Sequence, residues 1–210
     1  LDTNSTIVSS VDASGLGGKF TWDAGANTVA ITVRTGAGGS DVDFTQMTIP
    51  GGNASAGTAP ITFIGGSVDD LITTGNLGTS RGTITTGAGN DDIFVGIVDG
   101  GNDYWSIKDF SAANDDLDFA AASTFLGRDQ ELEPTAIFQD YLDQAARGNT
   151  ADGNFVAGGV RYFWYDEDGD GDIDATYVVQ DNADAEDFVD GVDTVIRLEG
   201  QITLTADNFI

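Results

Sequence analysis

Two near-copies of one nonapeptide constrain this chain more than any other feature. One reads Gly65-Gly66-Ser67-Val68-Asp69-Asp70-Leu71-Ile72-Thr73, the other Thr86-Gly87-Ala88-Gly89-Asn90-Asp91-Asp92-Ile93-Phe94. Both approach the pattern G-G-x-G-x-D-x-U-x, where U is a large apolar residue; the first departs only at Val68 and the second only at Thr86. A weaker third copy puts Gly101, Asp103 and Trp105 at the fourth, sixth and eighth positions. Between the good copies, residues 74–85 form a stretched, degenerate turn that keeps Ile84 but has no Asp. In such a unit the glycines permit positive φ and expose backbone carbonyls, and a short strand follows with U pointing inward. Successive strands fall on alternate sides, so turns two repeats apart stack. Asp70 and Asp91 are then expected to stack, each offering a carboxylate beside backbone carbonyls.

Composition narrows the chemistry. The 210 residues include 35 Asp and Glu against 8 Lys and Arg, a formal charge of -27, and neither His nor Cys. Disulfides, Cys/His zinc or haem sites and Ser-His-Asp or Cys-His catalysis therefore have no ligands or base. Nucleic acid would meet a strongly negative surface. A disordered acidic tail fits badly with a 40% hydrophobic and 10% aromatic content. No run approaches the ~18 apolar residues of a transmembrane helix. What remains is hard oxygen-ligand chemistry, and the ion that suits it is calcium.

Residues 1–64 read as β structure, with Val29, Ile31 and Val33 alternating with smaller residues and Gly-rich breaks between short strands. Either a solenoid or a separate sandwich accounts for them. Residues 134–147 read as the one clear helix, with Pro134 in its first turn, an apolar stripe of Ile137, Phe138, Tyr141, Leu142 and Ala145, and Gly148 as its stop. After the strand-like residues 160–165 comes Asp166-Glu167-Asp168-Gly169-Asp170-Gly171-Asp172-Ile173-Asp174, which fits the first nine positions of an EF-hand-type loop. Asp166, Asp168 and Asp170 would supply side-chain oxygens, Asp172 its carbonyl, and Asp174 a direct or water-mediated ligand. Position twelve is Tyr177 instead of the usual Glu, so the twelfth ligand is missing or comes from elsewhere. Six acids within nine residues repel strongly without a cation. A further acidic segment offers Asp181, Asp190 and Asp193, either as another calcium site or as solvated acid. Arg81, in the degenerate turn, either replaces a cation by contacting carbonyls or Asp103, or is a solvated loop residue.

These motifs resemble those of the RTX proteins exported by bacterial type I secretion systems. The likeness continues through Ile107-Lys108-Asp109-Phe110 and Asp115-Asp116-Leu117-Asp118-Phe119, similar to the strand pair that caps such rolls. It also extends to Asp193-Thr194-Val195-Ile196-Arg197-Leu198-Glu199-Gly200 and the ending Asp207-Asn208-Phe209-Ile210, where Asn208 departs from the serralysin-type pattern. Asp190-Gly191-Val192-Asp193 resembles a turn of the same secretion region. Residues 1–64 are only broadly similar to segments preceding the rolls of surface-layer proteins.

The resemblance implies a mostly β chain: a parallel β-roll or β-solenoid with RTX-type calcium turns, capped by a β-rich C-terminal domain with one helix. Its expected parts are an N-terminal β segment (1–64), the roll (65–106) and a cap with type I secretion region (107–210). The implied function is that of a secreted, calcium-binding structural or cell-surface protein, surface-layer-like, which passes a type I translocator and then folds and self-associates on extracellular calcium. The alternative is a calcium-dependent folding and secretion module of a larger enzyme or adhesin. On either reading this chain is no enzyme. The start at Leu1 suits a processed product or fragment, and the ending suits a natural C-terminus.

Overall fold

Short strands with apolar residues at every second position bury only one face each, so two sheets must turn those faces toward a shared core. A computed structural model describes residues 7–47, 61–75, 81–96, 103–119, 124–129, 131–133, 135–147, 158–183 and 187–210. The chain is mostly β, with long parallel sheets and a single helix among these residues. The first ten strands are β1 (Ser10–Asp12), β2 (Phe20–Asp23), β3 (Ile31–Arg34), β4 (Ser40–Asp43), β5 (Ile61–Ile64), β6 (Asp70–Thr73), β7 (Gly82–Thr85), β8 (Asp92–Val95), β9 (Trp105–Ile107) and β10 (Asp116–Phe119). They are followed by β11 (Thr124–Arg128), helix α1 (Phe138–Ala146), β12 (Gly159–Tyr165), β13 (Ala175–Gln180), β14 (Thr194–Glu199) and a 3-10 turn, Ala206–Asn208.

Strands alternate between the sheets. The even ones form a parallel sheet in the order β10-β8-β6-β4-β2, and the odd ones run β1-β3-β5-β7-β9, also in parallel. Each strand thus pairs with those two places away in sequence. The registers stack apolar side chains into inward columns: Trp22, Val42, Ile72, Ile93 and Leu117 in one sheet, Val33, Phe63, Ile84 and Ile107 in the other. All are 2% exposed or less, so at about 1.5–3 kcal/mol per large apolar side chain these columns are the main stabilising element. β1 to β4 join the same two sheets as the strands after residue 64, so the winding favours continuity over a separate sandwich. β9 and β10 do not pair with each other as a capping hairpin; each extends one sheet.

The C-terminal strands enlarge the odd sheet. β14 pairs in parallel with β9, and β13 and β12 follow as antiparallel neighbours, with β11 at the edge. α1 covers β12 and β13, burying Leu142, Ala145 and Ala146 in a second core with Phe163, Tyr177 and Val179. The helix begins at Phe138 because the Asp140 carboxylate accepts the Ile137 amide at 2.8 Å, making Ile137 the cap. Ile137 therefore leaves the expected stripe and is exposed; Pro134 and Gly148 lie outside the described residues. The chain's end docks on β10, the Ile210 amide donating to the Leu117 carbonyl at 3.3 Å, and the Asn208 side-chain amide donates to the Ala112 and Asp115 carbonyls of the turn before it at 2.9 and 3.3 Å. An Asp at this position would have no such donor. No helix among the described residues is long and apolar enough to cross a membrane.

Candidate metal centres

The turns feeding the five-stranded sheet stack on one another so closely that side chains are excluded. A Cβ on Gly66 would lie 2.0 Å from the Gly36 carbonyl oxygen, and one on Gly87, where φ is +101°, would lie 2.0 Å from that of Gly66. This stacking brings Asp70 and Asp91 together as their repeat offset predicts. The Asp70 amide donates to Asp91 Oδ1 at 2.8 Å, and the Asp91 amide donates to Asp115 Oδ1 at 3.3 Å. The three carboxylates form a column, and none is more than 3% exposed.

The column carries unspent acceptor capacity. Among the described residues, no hydrogen bond reaches Asp70 Oδ1 or Asp91 Oδ2. In the same turns a Cβ on Gly65 would meet the Thr86 carbonyl oxygen at 1.9 Å and Asp70 Oδ2, which accepts the Gly66 amide, at 2.4 Å, so only glycine fits there. Burial pushes the Asp91 carboxyl up to about 6, with the charges of Asp115 and Asp70 adding to the effect. Asp70 and Asp115 are also raised, again chiefly by burial. Buried carboxylates with oxygens that lack a donor fit a hard cation.

Asp103 does not belong to this column. It precedes β9 of the nine-stranded sheet, whereas the column lies in turns that feed the five-stranded one. Its place is taken by Asp115, two residues before the inward Leu117, just as Asp91 precedes Ile93. The available signal was this Asp-x-apolar offset; the turn before Asp115 lacks the glycines that marked the others. Asp109 contributes differently, accepting the Thr86 and Gly87 amides at 2.9 Å each and so tying that turn to its neighbour. Arg81 sits with its guanidinium carbon 4.5 Å above the Tyr104 ring.

The second centre is the loop joining β12 to β13. Carboxylate oxygens of Asp166, Asp168 and Asp174 lie within 4.8 Å of one another, the one such trio among the described residues. Asp166 accepts the Gly169 and Gly171 amides at 2.7 and 2.8 Å, and the Gly171 amide bond foremost holds its carboxyl below the usual range. Gly171 turns the chain at φ +100°, as the motif requires. The Asp170 amide lowers Asp168, but the charges of Asp170, Asp174 and Asp166, with some desolvation, outweigh it and leave that carboxyl raised. Asp170 accepts the Asp172 amide at 2.9 Å, and neither residue joins the trio. Tyr177 is buried, and its hydroxyl donates to Glu167. Glu167, which the motif leaves unassigned, forms a bidentate pair with Arg197 at 2.8 and 2.9 Å; this pairing lowers its carboxyl. Its amide donates to Asp174 Oδ2 at 2.8 Å, linking the loop to the sheet.

The third acidic segment is built otherwise. Asp193, fully buried, accepts amides from Asn182, Ala183 and Val189 at 2.7, 2.9 and 2.7 Å, so it closes a turn. Asp181 is buried and accepts the Ala183 amide at 3.1 Å, with no hydrogen bond reaching its Oδ2 among the described residues, while Asp190 is exposed in the turn. Asp193 thus has a structural role, and Asp181 keeps an acceptor a cation could use. Asp184 and Glu186 lie outside the described residues. No protein-family model matches this chain, and comparison with curated proteins finds no relative.

Proposed function

We propose that this chain is a calcium-binding structural module of an exported cell-surface protein, folding as a parallel β-roll whose stacked acidic turns are closed by calcium. The observation that carries the reading is the Asp70–Asp91–Asp115 column, in which Asp70 and Asp91 each keep a buried carboxylate oxygen that no hydrogen bond reaches among the described residues. Calcium is preferred because every available ligand is a hard oxygen and the sites are irregular, whereas magnesium demands near-ideal octahedral geometry. The Asp166–Asp168–Asp174 trio supplies a second site of the same chemistry.

The mechanism follows from charge. At -27 the ion-free chain repels itself, and its buried carboxylates resist ionisation. A cation that binds only the folded arrangement adds its binding energy to folding. Where calcium is scarce the chain stays loose enough for a type I translocator; outside the cell it folds and then associates with further copies into a surface layer. No residue is assigned a catalytic role. The test is circular dichroism and thermal melting in calcium and in chelator, with Asp91→Asn and Asp166→Asn to separate the two sites. An unchanged spectrum and melting temperature in chelator would refute the reading.

A further inference from the structure

Three of the eight basic side chains in this strongly acidic protein, Arg81, Lys108 and Arg197, converge on one concavity of about 240 Å³. It lies on the outer face of the nine-stranded sheet. There the register aligns Thr83 of β7, Ser106 of β9 and Arg197 of β14 in one cross-strand row. Tyr104, buried beneath Arg81, closes one side, and Glu167 reaches in from the acidic loop.

The polar groups divide into a buried anchor and exposed groups at the rim. Arg197 is the anchor: it is bound by Glu167, donates to Ser106 Oγ at 3.0 Å and reaches Glu199 at 3.3 Å, with its side chain only 10% exposed. Lys108 and Glu199 pair with each other nearer the rim and are 43% and 47% exposed, so water already competes for that contact. Arg81 is also exposed. Glu199 lies outside the lining but pairs with Lys108 and Arg197; counted with Glu167 against the three cations, it leaves a surplus of one positive charge, which one carboxylate would neutralise and a dianionic phosphate would overshoot. Thr83 and Ser106, both in the lining, offer hydroxyls that can donate to and accept from ligand hydroxyls. The volume is below the ~300–1,000 Å³ of pockets for drug-sized ligands, which suits a single small ring.

We propose that this concavity binds a small hydroxylated monocarboxylate, with a sugar acid as the type: its carboxylate against Arg81 and Lys108, its hydroxyls on Thr83 and Ser106. The proposal does not rest on the calcium reading, because none of these ligand contacts is a proposed metal ligand.

The experiment is calorimetric titration of the full chain in calcium, in a buffer where circular dichroism shows it folded, so that a failure to bind is distinct from a failure to fold. The probes are D-glucuronate, glucose, acetate and inorganic phosphate. Glucuronate is expected to bind saturably, and glucose and acetate each at least about tenfold more weakly, as for the loss of one well-made polar contact. Arg81→Gln and Lys108→Gln, both surface changes, should each weaken glucuronate at least about fivefold without altering the melting temperature. Glucuronate binding no tighter than glucose would overturn the carboxylate assignment. Acetate or phosphate binding equally well would overturn the hydroxylated monocarboxylate. Binding unchanged in both variants would remove the site.

Discussion

Replacing Asp91 by Asn should change sign with calcium and with pH. In the ion-free fold the Asp91 carboxyl is raised from 3.8 to about 6 by burial beside Asp115 and Asp70. A shift of about two units, at 1.36 kcal/mol each, makes its ionisation cost the fold about 3 kcal/mol above pH 6. The folded-state value lies above the unfolded one. This penalty is therefore complete above about pH 6, shrinks as pH falls through the folded pKa, and is gone below the unfolded pKa near 4. Asn removes the charge and keeps an oxygen for the Asp70 amide, but its new amino group needs an acceptor, a cost of about 1 kcal/mol. In chelator at pH 7.5 the variant should gain about 2 kcal/mol; at ~2–4 °C per kcal/mol for a chain of this size, its melting temperature rises by about 4–8 °C. At pH 4 the gain should vanish and turn into a loss of about 1 kcal/mol. With calcium bound, the variant lacks a charged ligand and should be the less stable protein at pH 7.5, with a higher calcium midpoint. The assay is urea unfolding followed by tryptophan fluorescence across pH in chelator and in calcium. Should the calcium-free wild type be unfolded at pH 7.5, the same energy appears as folding on acidification, reached at higher pH by the variant. Destabilisation by Asn in chelator at pH 7.5, or a stabilisation equal at pH 7.5 and pH 4, would refute the reasoning.

Three other substitutions test the frame around the sites. Gly87→Ala puts a Cβ 2.0 Å from the Gly66 carbonyl at a φ of +101°; it should cost at least about 1–3 kcal/mol and raise the calcium midpoint, read by melting and calcium titration. Arg197→Met leaves Glu167 without its bidentate partner and should destabilise by about 3 kcal/mol in urea unfolding, with proteolysis of the acidic loop accelerated. Leu142→Ala, at a fully buried helix position, should cost about 2–5 kcal/mol while leaving calcium binding by the stacked turns unchanged in calorimetry.

The stacking of Asp70 on Asp91 was legible because a fixed nonapeptide offset fixes which turns meet. Asp115 was not, because its turn keeps the Asp-x-apolar spacing but replaces glycines with Ser111, Ala112 and Ala113, so it read as the start of a cap. Asp103 has the same local spacing as Asp91 and stays outside the column for a reason invisible locally: its strand falls on the other sheet. In the acidic loop, local spacing was enough to mark Asp166, Asp168 and Asp174, whose oxygens do converge. Glu167 could not be assigned a role, since its partner Arg197 is 30 residues away and an ion pair of that range leaves no periodic trace. Ile137 followed the helical period but became the cap, because Asp140 captured its amide.

The acids of this chain therefore fall into two kinds that net charge does not distinguish. Asp193 is buried but surrounded by three backbone amides, so its charge is already stabilised and needs no ion. Asp166 is likewise held by amides, yet it shares its loop with two unneutralised carboxylates. Asp70 and Asp91 are as buried as Asp193 but each leaves an oxygen without a donor. Cation demand is thus set by unmet acceptor capacity and not by acid count. By that measure the column stands out with two such oxygens, Asp181 keeps one, and Asp193 itself needs no ion. Calcium removal should then loosen the stacked turns before the β13–β14 sheet, whose own hydrogen bonds and apolar cover do not depend on those acids. Amide exchange in chelator measures that order: protection should be lost around Asp70 and Asp91 while Tyr177–Val179 stay protected. Simultaneous loss in both regions would mean that the two cores unfold as one unit.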